Sequence, residues 1–102
     1  MSKYGNVKTM VFGQVFDSKR EATRYMQLRA LQDEGKISEL QTQVRLPCII
    51  NGVKICDYVA DFVYFNLQGA QIVEDAKGYK TDVYRLKKKL VRALYGVTIL
   101  ET

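Results

Sequence analysis

The feature that most constrains this sequence is a predicted β-hairpin that carries charged residues among apolar ones. One arm spans Val53–Phe65, which is rich in aromatic and β-branched residues, and the other spans residues 70–77. Because side chains alternate between the faces of a strand, Asp61 shares a face with valines in the first arm. Asp75 and Lys77 share a face with a valine in the second. Burying a charge is unfavourable unless it is paired or bound to a metal ion, so these charges predict a functional site.

The composition restricts the chemistry that such a site can perform. The chain of 102 residues suffices for a single domain and contains no histidine, which excludes Ser-His-Asp and Cys-His catalysis. Cys48 and Cys56 are the only cysteines, too few for a tetrahedral zinc site, and are interpreted as small apolar fillers. Any reaction must therefore use carboxylates, lysines, hydroxyl groups or a hard metal ion.

Charge and hydrophobicity indicate the type of partner and the cellular location. The formal net charge of +5 favours a polyanionic partner such as nucleic acid. No signal peptide opens the chain, and no apolar run approaches the roughly 18 residues of a membrane helix. We therefore expect a soluble cytoplasmic protein that does not contact a membrane.

The remaining segments predict two helices and further strands around the hairpin. We predict a flexible basic arm over residues 1–8 and one domain over residues 9–102. The domain begins with two short strands about Gly13-Gln14, a helix from Ser18 to residue 34, and a strand over residues 37–46 that Pro47 ends or confines to an edge. The hairpin follows an Asn51-Gly52 turn, and after it come a helix from Thr81 to Gly96 and a strand over residues 97–100. Ser18 and Glu21 match a capping box. This order predicts an α/β (α+β) sandwich, a small mixed sheet with a helix on each side.

The second predicted helix has an apolar and a basic side. Five apolar residues at helical spacing are expected to face the core: Val83, Leu86, Leu90, Val91 and Leu94. Lys87 falls within this apolar row, where its side chain either extends to solvent or reaches the scissile phosphate of a substrate. Lys88 and Lys89 lie outside the row.

The order of the charged residues resembles the PD-(D/E)XK nuclease superfamily. Its members carry an acidic residue on the second core strand, matched here by Asp61, and a (D/E)-X-K motif on the third, matched by residues 75–77 (D-A-K). Ala60 stands where the family name has proline, and Glu21 matches a glutamate that many members carry on the first helix. The αβββαβ order and the segments F-D-S-K-R-E-A and V-E-D-A-K-G are similar to short phage and prophage proteins of this superfamily, which resemble Holliday-junction resolvases, and to the nuclease domain of a Tn7-type transposase.

The resemblance implies a restriction-endonuclease-like fold and a metal-dependent endodeoxyribonuclease. Asp61 and Asp75 would share Mg²⁺ or Mn²⁺ with the backbone carbonyl of Ala76. Lys77 would orient or help to deprotonate the attacking water, and Glu21 would complete the site. The resemblance also implies a phage or prophage role in DNA recombination, replication or packaging. Because the core leaves no spare domain for reading a base sequence, structure-selective cutting, for example of branched DNA by a dimer, is expected in preference to restriction-type specificity. A homodimer and a phage recombination or packaging protein are the partners that this role suggests.

Basic residues on and before the second helix are the expected DNA contacts: Lys80, Lys87, Lys88 and Lys89. Gln43 is expected either to support the site beside the DNA or to be an ordinary edge-strand glutamine. Glu74, on the opposite face from Asp75, is expected to be solvated or paired with a lysine.

Several alternatives remain open at this point. Glu21 is a site residue, or only the second half of its capping box. Asp61, Asp75 and Lys77 form an active site, or a structural ion pair between strands. The protein is an independent nuclease, a DNA-binding module with a degenerate site, or a nuclease subunit that is active only beside a partner protein.

Overall fold

A computed structural model describes residues 8–102 and shows within them an α+β architecture of two helices and six strands. The elements are β1 (Thr9–Val11), β2 (Gln14–Phe16), α1 (Lys19–Asp33), β3 (Ser38–Ile50), β4 (Val53–Phe65), β5 (Gln71–Asp75), α2 (Asp82–Tyr95) and β6 (Leu100–Glu101). The predicted class and element order are confirmed. The predicted basic arm lies outside the described residues except for Lys8, which is exposed. Neither α1 nor α2 is long and apolar enough to cross a membrane.

The main sheet is mixed and has the strand order β3-β4-β5-β6. β4 is antiparallel to β3 and β5, whereas β5 and β6 are parallel. β1 and β2 form a separate hairpin that turns at Phe12-Gly13, one residue earlier than predicted. The predicted Asn51-Gly52 turn between β3 and β4 is confirmed, and its φ angles of 51° and 77° are typical of a tight hairpin turn.

Two strand ends differ from the predictions. β3 continues through Pro47 to Ile50, because it lies at the edge of the sheet, where a residue without an N–H group is tolerated. β5 ends at Asp75, before the predicted end of the hairpin arm. Beyond it, the Lys77 N–H group still donates to the Thr102 carbonyl at 3.1 Å, so the chain remains beside the end of β6.

Helix α1 begins at the predicted cap and covers one face of the sheet. Ser18 Oγ accepts a hydrogen bond from the Glu21 N–H group at 3.1 Å. Glu21, Tyr25 and Leu28, which follow one another along one side of the helix at i, i+4 and i+7, are buried, and Tyr25 and Leu28 pack against Phe62 of β4. This rotation of the helix directs the Glu21 side chain toward the sheet.

Helix α2 covers the opposite face, but with a different side from the predicted one. Its buried residues are Tyr84 and Val91. The Tyr84 ring lies 6.3 Å from that of Tyr58, centroid to centroid, and its hydroxyl group donates to a carboxylate on β6. Of the five residues predicted to face the core, Val91 is buried, Leu90 is half-buried, and Val83, Leu86 and Leu94 are exposed. Tyr84 determines the rotation of the helix, because its large ring must be buried while its hydroxyl group reaches a hydrogen-bond partner. The spacing of the aliphatic residues alone does not predict this rotation.

Candidate active site

The centre of the site is the point where β4 and β5 separate. The backbone pairing of these strands ends at Phe62 and Glu74. Beyond it, the Asp61 N–H group donates to Asp75 Oδ1 at 3.0 Å, and the Ala76 N–H group donates to Asp61 Oδ2 at 2.9 Å. The two carboxylates thus replace backbone hydrogen bonds between the diverging strands, and each is held through one oxygen. The sheet brings the two predicted metal-binding aspartates together.

Asp61 lies where β4 passes from one core to the other. Phe62 and Tyr64 pack in the core beneath α1, whereas Tyr58 and Ala60 pack in the core beneath α2. In a regular strand these alternate residues would all share one face. The change of face leaves the Asp61 side chain between the two cores, where it is partly exposed.

Gln43 lies opposite Asp61 on β3 and has an unusual backbone conformation. Its neighbours in β3 pair with the residues on either side of Asp61. The φ angle of Gln43 is 53°, in the left-handed region that residues other than glycine rarely adopt. Its Nε2 donates to Glu21 Oε2 at 2.6 Å. Such strained residues are typical of functional sites, and this one orients a carboxyl group of the cluster.

The Glu21 carboxyl group faces Asp61. The two carboxyl groups lie close enough to share a proton. Burial raises the pKa of Glu21 to about 7, and the charges of Asp61 and Asp17 contribute to this increase. Glu21 therefore takes part in the cap of α1 through its N–H group, while its side chain is directed to the site.

Asp75 is the most deeply buried of the three carboxyl groups, with no exposed surface. Burial raises its pKa to about 6, although the Asp61 N–H group and the charge of Lys77 act in the opposite direction. Its Oδ2 atom is buried and has no hydrogen-bond partner among residues 8–102. Burial also raises the pKa of Asp61. The cluster is thus a group of carboxylates whose negative charge is incompletely compensated.

Lys77 accompanies the two aspartates, as predicted, although it lies beyond the end of β5. Its charge lowers the pKa of both Asp61 and Asp75. Its Nζ atom lies 5.0 Å from the centroid of the Tyr84 ring, a cation–π arrangement. Lys77 forms no direct ion pair with any carboxylate of residues 8–102, so the structural ion pair between strands that the sequence left open is not formed.

The donor atoms of this cluster suit a hard divalent cation. Carboxylate and carbonyl oxygens are the ligands that Mg²⁺ and Mn²⁺ prefer, and Mg²⁺ commonly binds through one or two carboxylates with water at its other positions. The unpaired Asp75 Oδ2 is an acceptor that a cation would satisfy. Within residues 8–102 no group of three or more His, Cys, Asp or Glu side chains is placed so that it could hold a metal ion. An open site based on Asp61 and Asp75 is therefore the arrangement that fits.

Two of the predicted DNA contacts are already held by a carboxylate that sequence reasoning missed. Lys80 and Lys88 lie 3.6 Å and 3.3 Å from Glu101 Oε1. The Tyr84 hydroxyl group donates to Glu101 Oε2 at 2.8 Å. Glu101 also raises the pKa of Asp75 through its charge. Glu101 lies in the two-residue strand β6, which is too short for a periodic pattern to predict which way its side chain faces.

The other predicted contacts have different surroundings. Lys87 is half-buried, and its Nζ donates to the Asp57 carbonyl at 3.0 Å. It therefore crosses to β4 instead of extending freely into solvent. Lys89 is exposed on α2, and Gln43 is bound to Glu21. The structure thus brings Gln43 to the carboxylate cluster and leaves Lys89 on the outer side of α2.

Glu74 is completely buried, so the expectation of a solvated or lysine-paired glutamate is wrong. Arg24 of α1 binds it through Nε at 2.6 Å and Nη2 at 3.1 Å. The Tyr64 hydroxyl group donates to it at 2.7 Å, and Thr102 Oγ1 donates at 3.0 Å. The last three residues of β5 are buried on both faces of the strand, Val73 beneath α2 and Glu74 toward α1, so the buried carboxylate of Glu74 requires a cation from α1.

Known proteins give no further account of this site. No curated protein and no solved structure matches the chain. One family, described as "Protein of unknown function (DUF1064)", matches residues 1–100, a range that includes Glu21, Asp61, Asp75 and Lys77. On the extent of this match, the chain belongs to the DUF1064 family.

Proposed function

We propose that this protein is a divalent-metal-dependent endodeoxyribonuclease. One observation carries the proposal: Asp61 and Asp75 meet where β4 and β5 separate, Glu21 faces Asp61, and the buried Asp75 Oδ2 has no partner among residues 8–102. A carboxylate cluster that is held in place, yet lacks compensating charge, is costly to a fold that has no ligand for it. The absence of histidine from the sequence restricts the chemistry to carboxylates, lysine and metal.

The residues of the site have separate roles in this proposal. Asp61 and Asp75 would hold Mg²⁺ or Mn²⁺ with the Ala76 carbonyl, and Glu21 would complete the set. When bound, the ion supplies charge neutralisation at the phosphate and lowers the pKa of water. Lys77, whose charge acts on both aspartates, would orient or help to deprotonate the attacking water. Gln43 orients Glu21 through its 2.6 Å hydrogen bond.

The net charge of +5 supports DNA as the substrate. Lys89 is exposed and forms no ion pair with a described carboxylate, whereas Lys80 and Lys88 would have to exchange Glu101 for phosphate. We propose branched DNA in a phage setting, in the host cytoplasm, on the basis of the resemblance described above. The domain formed by residues 8–102 offers little surface for reading a base sequence, which supports selection by DNA structure.

A cleavage assay tests the proposal directly. Linear, nicked, flapped and four-way DNA are incubated with the protein in Mg²⁺, in Mn²⁺ and in EDTA. We expect cleavage with either ion, preference for the branched substrates, and none in EDTA. Cleavage by homogeneous protein that persists undiminished in EDTA would exclude the metal mechanism. Metal-independent DNA binding without cleavage would favour the DNA-binding module with a degenerate site.

A second candidate function, a nuclease subunit that requires a partner, is favoured by one observation. Val83, Leu86 and Leu94 form a row along α2 and are 63%, 61% and 40% exposed. Exposed apolar rows of this kind are typical of protein–protein contacts, whether with a second copy or with another protein. Light scattering at increasing concentration, on wild type and on Leu86→Gln, separates a homodimer from a monomer that awaits a partner. Full activity of a monomeric wild type would exclude this candidate.

A further inference from the structure

A shallow basic pocket lies on the outer side of α1, next to the end of β6. Its volume is about 400 Å³, and it is lined by Lys19, Arg20, Thr23, Arg24, Gln27 and Thr102. The side chains that line it include three cations and no carboxylate. None of them was among the predicted site residues, and none belongs to the carboxylate cluster.

Two of the three cations are not paired with a described side-chain carboxylate. Arg24 is neutralised by Glu74, with nitrogen–oxygen distances of 2.6 and 3.1 Å. Within residues 8–102, neither Lys19 nor Arg20 forms an ion pair. Arg20 Nη1 donates only to the Thr102 carbonyl, at 3.5 Å, and both cations are exposed. Lys19 and Arg20 together keep the pocket net positive even beside the main-chain oxygens of Thr102, the last residue.

The polar groups of the pocket are mainly hydrogen-bond donors. Gln27 Oε1 accepts from Arg24 Nη1 at 3.1 Å, which leaves the Gln27 NH₂ group to donate elsewhere. Lysine and arginine can only donate, and the Thr23 hydroxyl group can also donate. A ligand must therefore supply several acceptor oxygens with negative charge. Phosphate has this chemistry, and the planar guanidinium group of Arg20 matches it with two parallel hydrogen bonds.

The pocket adjoins the candidate active site. The Thr102 carbonyl accepts both from the Lys77 N–H group at 3.1 Å and from Arg20 Nη1 at 3.5 Å. Arg20 Nε lies 3.4 Å from the position that a Cβ atom would take at Gly78. The guanidinium group thus lies against the backbone directly after Lys77, and Arg20 precedes Glu21 in α1. A strand bound at the carboxylates would pass close to the pocket.

We propose that the pocket centred on Lys19 and Arg20 binds a phosphate group of the nucleic-acid strand that enters the active site. The identity of the ligand as nucleic acid rests on the proposed function. The contact itself is separate from the metal-binding cluster and does not depend on metal. The phosphate is either an internal diester of the strand or a monoester at its end, which share the chemistry that the pocket recognises.

The test measures DNA affinity by fluorescence anisotropy in EDTA, where neither metal nor cleavage contributes. Arg20→Gln is expected to weaken binding about tenfold, because it removes a charge-assisted contact to phosphate. It should also flatten the dependence of log affinity on log salt by about one unit. Arg20→Lys, which keeps the charge without the planar fork, should restore the slope and only part of the affinity. Lys36→Gln, an exposed lysine beyond the other end of α1, is the matched control and should bind as wild type does.

Two further comparisons identify the source of the phosphate and separate the two proposals. The affinities of wild type and Arg20→Gln are measured for DNA strands with a 5′-phosphate and for the same strands with a 5′-hydroxyl group. If Arg20→Gln loses affinity only for the phosphorylated DNA, the pocket binds a terminal monoester. If it loses affinity equally for both, the pocket binds an internal diester. If Arg20→Gln and wild type have equal affinity and equal salt dependence, the proposal that the pocket binds phosphate is wrong, even if wild type cleaves DNA. If DNA binding depends on Arg20 but wild type does not cleave DNA with Mg²⁺, the phosphate-binding proposal is supported and the nuclease proposal is wrong.

Discussion

The backbone N–H group of Asp61 donates to Asp75 Oδ1 at 3.0 Å, so a buried carboxylate on β5 is held by the neighbouring strand. Among residues 8–102 the second oxygen of that carboxylate has no hydrogen-bond partner. Burial raises the pKa of Asp75 to about 6, which means that the fold disfavours its charged form. A residue selected only for stability would be neutral here, so the buried carboxylate supports the proposed cationic ligand.

Replacement of Asp75 by asparagine separates this explanation from a structural one. Asparagine keeps an oxygen that accepts from the Asp61 N–H group and removes one charge from the cluster. We expect the metal-free Asp75→Asn protein to melt at the same temperature as wild type or higher, because repulsion within the cluster decreases. Cleavage should be abolished and DNA binding retained. Thermal melting, cleavage and anisotropy measure these properties, with Asp33→Asn at the exposed end of α1 as control.

Mg²⁺ provides the second comparison on the same proteins. A ligand stabilises only the state that binds it, so Mg²⁺ should raise the melting temperature of wild type and of Asp33→Asn, but not of Asp75→Asn. Marked destabilisation of Asp75→Asn, together with no effect of Mg²⁺ on wild type, would show that the aspartate has a structural role.

Glu21→Gln tests whether α1 contributes a ligand or only a cap. Ser18 caps the helix through its own hydroxyl group and the Glu21 N–H group, which the substitution preserves. If Glu21 served only the helix, Glu21→Gln would keep nearly normal activity and stability. We expect instead a large loss of cleavage with little change in melting temperature, since the side chain faces Asp61. A substitution of the residue that orients it, Gln43→Ala, should reduce cleavage to a smaller extent.

Most of the fold could be predicted because its elements have local determinants. Ser18 and Thr81 cap the two helices, Asn51-Gly52 forms the turn between β3 and β4, and Gly96 ends α2 in a left-handed conformation. The buried side of α2 could not be predicted, because Tyr84 determines it through contacts with Tyr58 and β6. Those partners are distant in the sequence.

The site was predictable to the extent that the pairing of β4 with β5 places its residues, whereas regular alternation along β4 breaks at Asp61. Asp61 and Asp75 met as expected, because the hairpin pairs their strands. The hydrogen bond of Gln43 to Glu21 and the pairing of Glu101 with Lys80 and Lys88 were not predictable. They depend on how α1, α2 and β6 are placed on the sheet, which no local pattern encodes.

The ion pair between Arg24 and Glu74 should be essential for stability. Glu74 has no exposed surface, and Arg24 binds it through two nitrogens. Arg24→Gln would leave a buried carboxylate without a cation, at a cost of about 3–5 kcal/mol in the free energy of unfolding. Urea denaturation measures this loss, with the exposed Arg85→Gln as control. The double variant Arg24→Met with Glu74→Leu should recover much of the stability, because it removes both charges. Equal destabilisation of the double and single variants would contradict this account.

The carboxylate cluster also predicts how stability depends on pH. The pKa of Glu21 is raised from 4.5 to about 7 and that of Asp75 from 3.8 to about 6. Between about pH 4 and 7 the folded protein therefore binds more protons than the unfolded chain, so stability is highest at the acidic end and decreases as pH rises. Each tenfold change in proton affinity corresponds to about 1.4 kcal/mol, and the total loss should be a few kcal/mol.

Urea denaturation between pH 5 and 8 measures this dependence. A lysine partner lowers the pKa of Asp57 and a tyrosine partner lowers that of Glu101, so both groups stay charged throughout this range. The double variant Glu21→Gln with Asp75→Asn should have a nearly flat profile, because it removes both raised pKa values. Mg²⁺ should flatten the profile of wild type by stabilising the charged cluster at pH 8, where the metal-free protein is weakest. A metal-free wild type that gains stability from pH 5 to pH 8 would show that the cluster is compensated within the fold, and the case for a cation at Asp75 would fail.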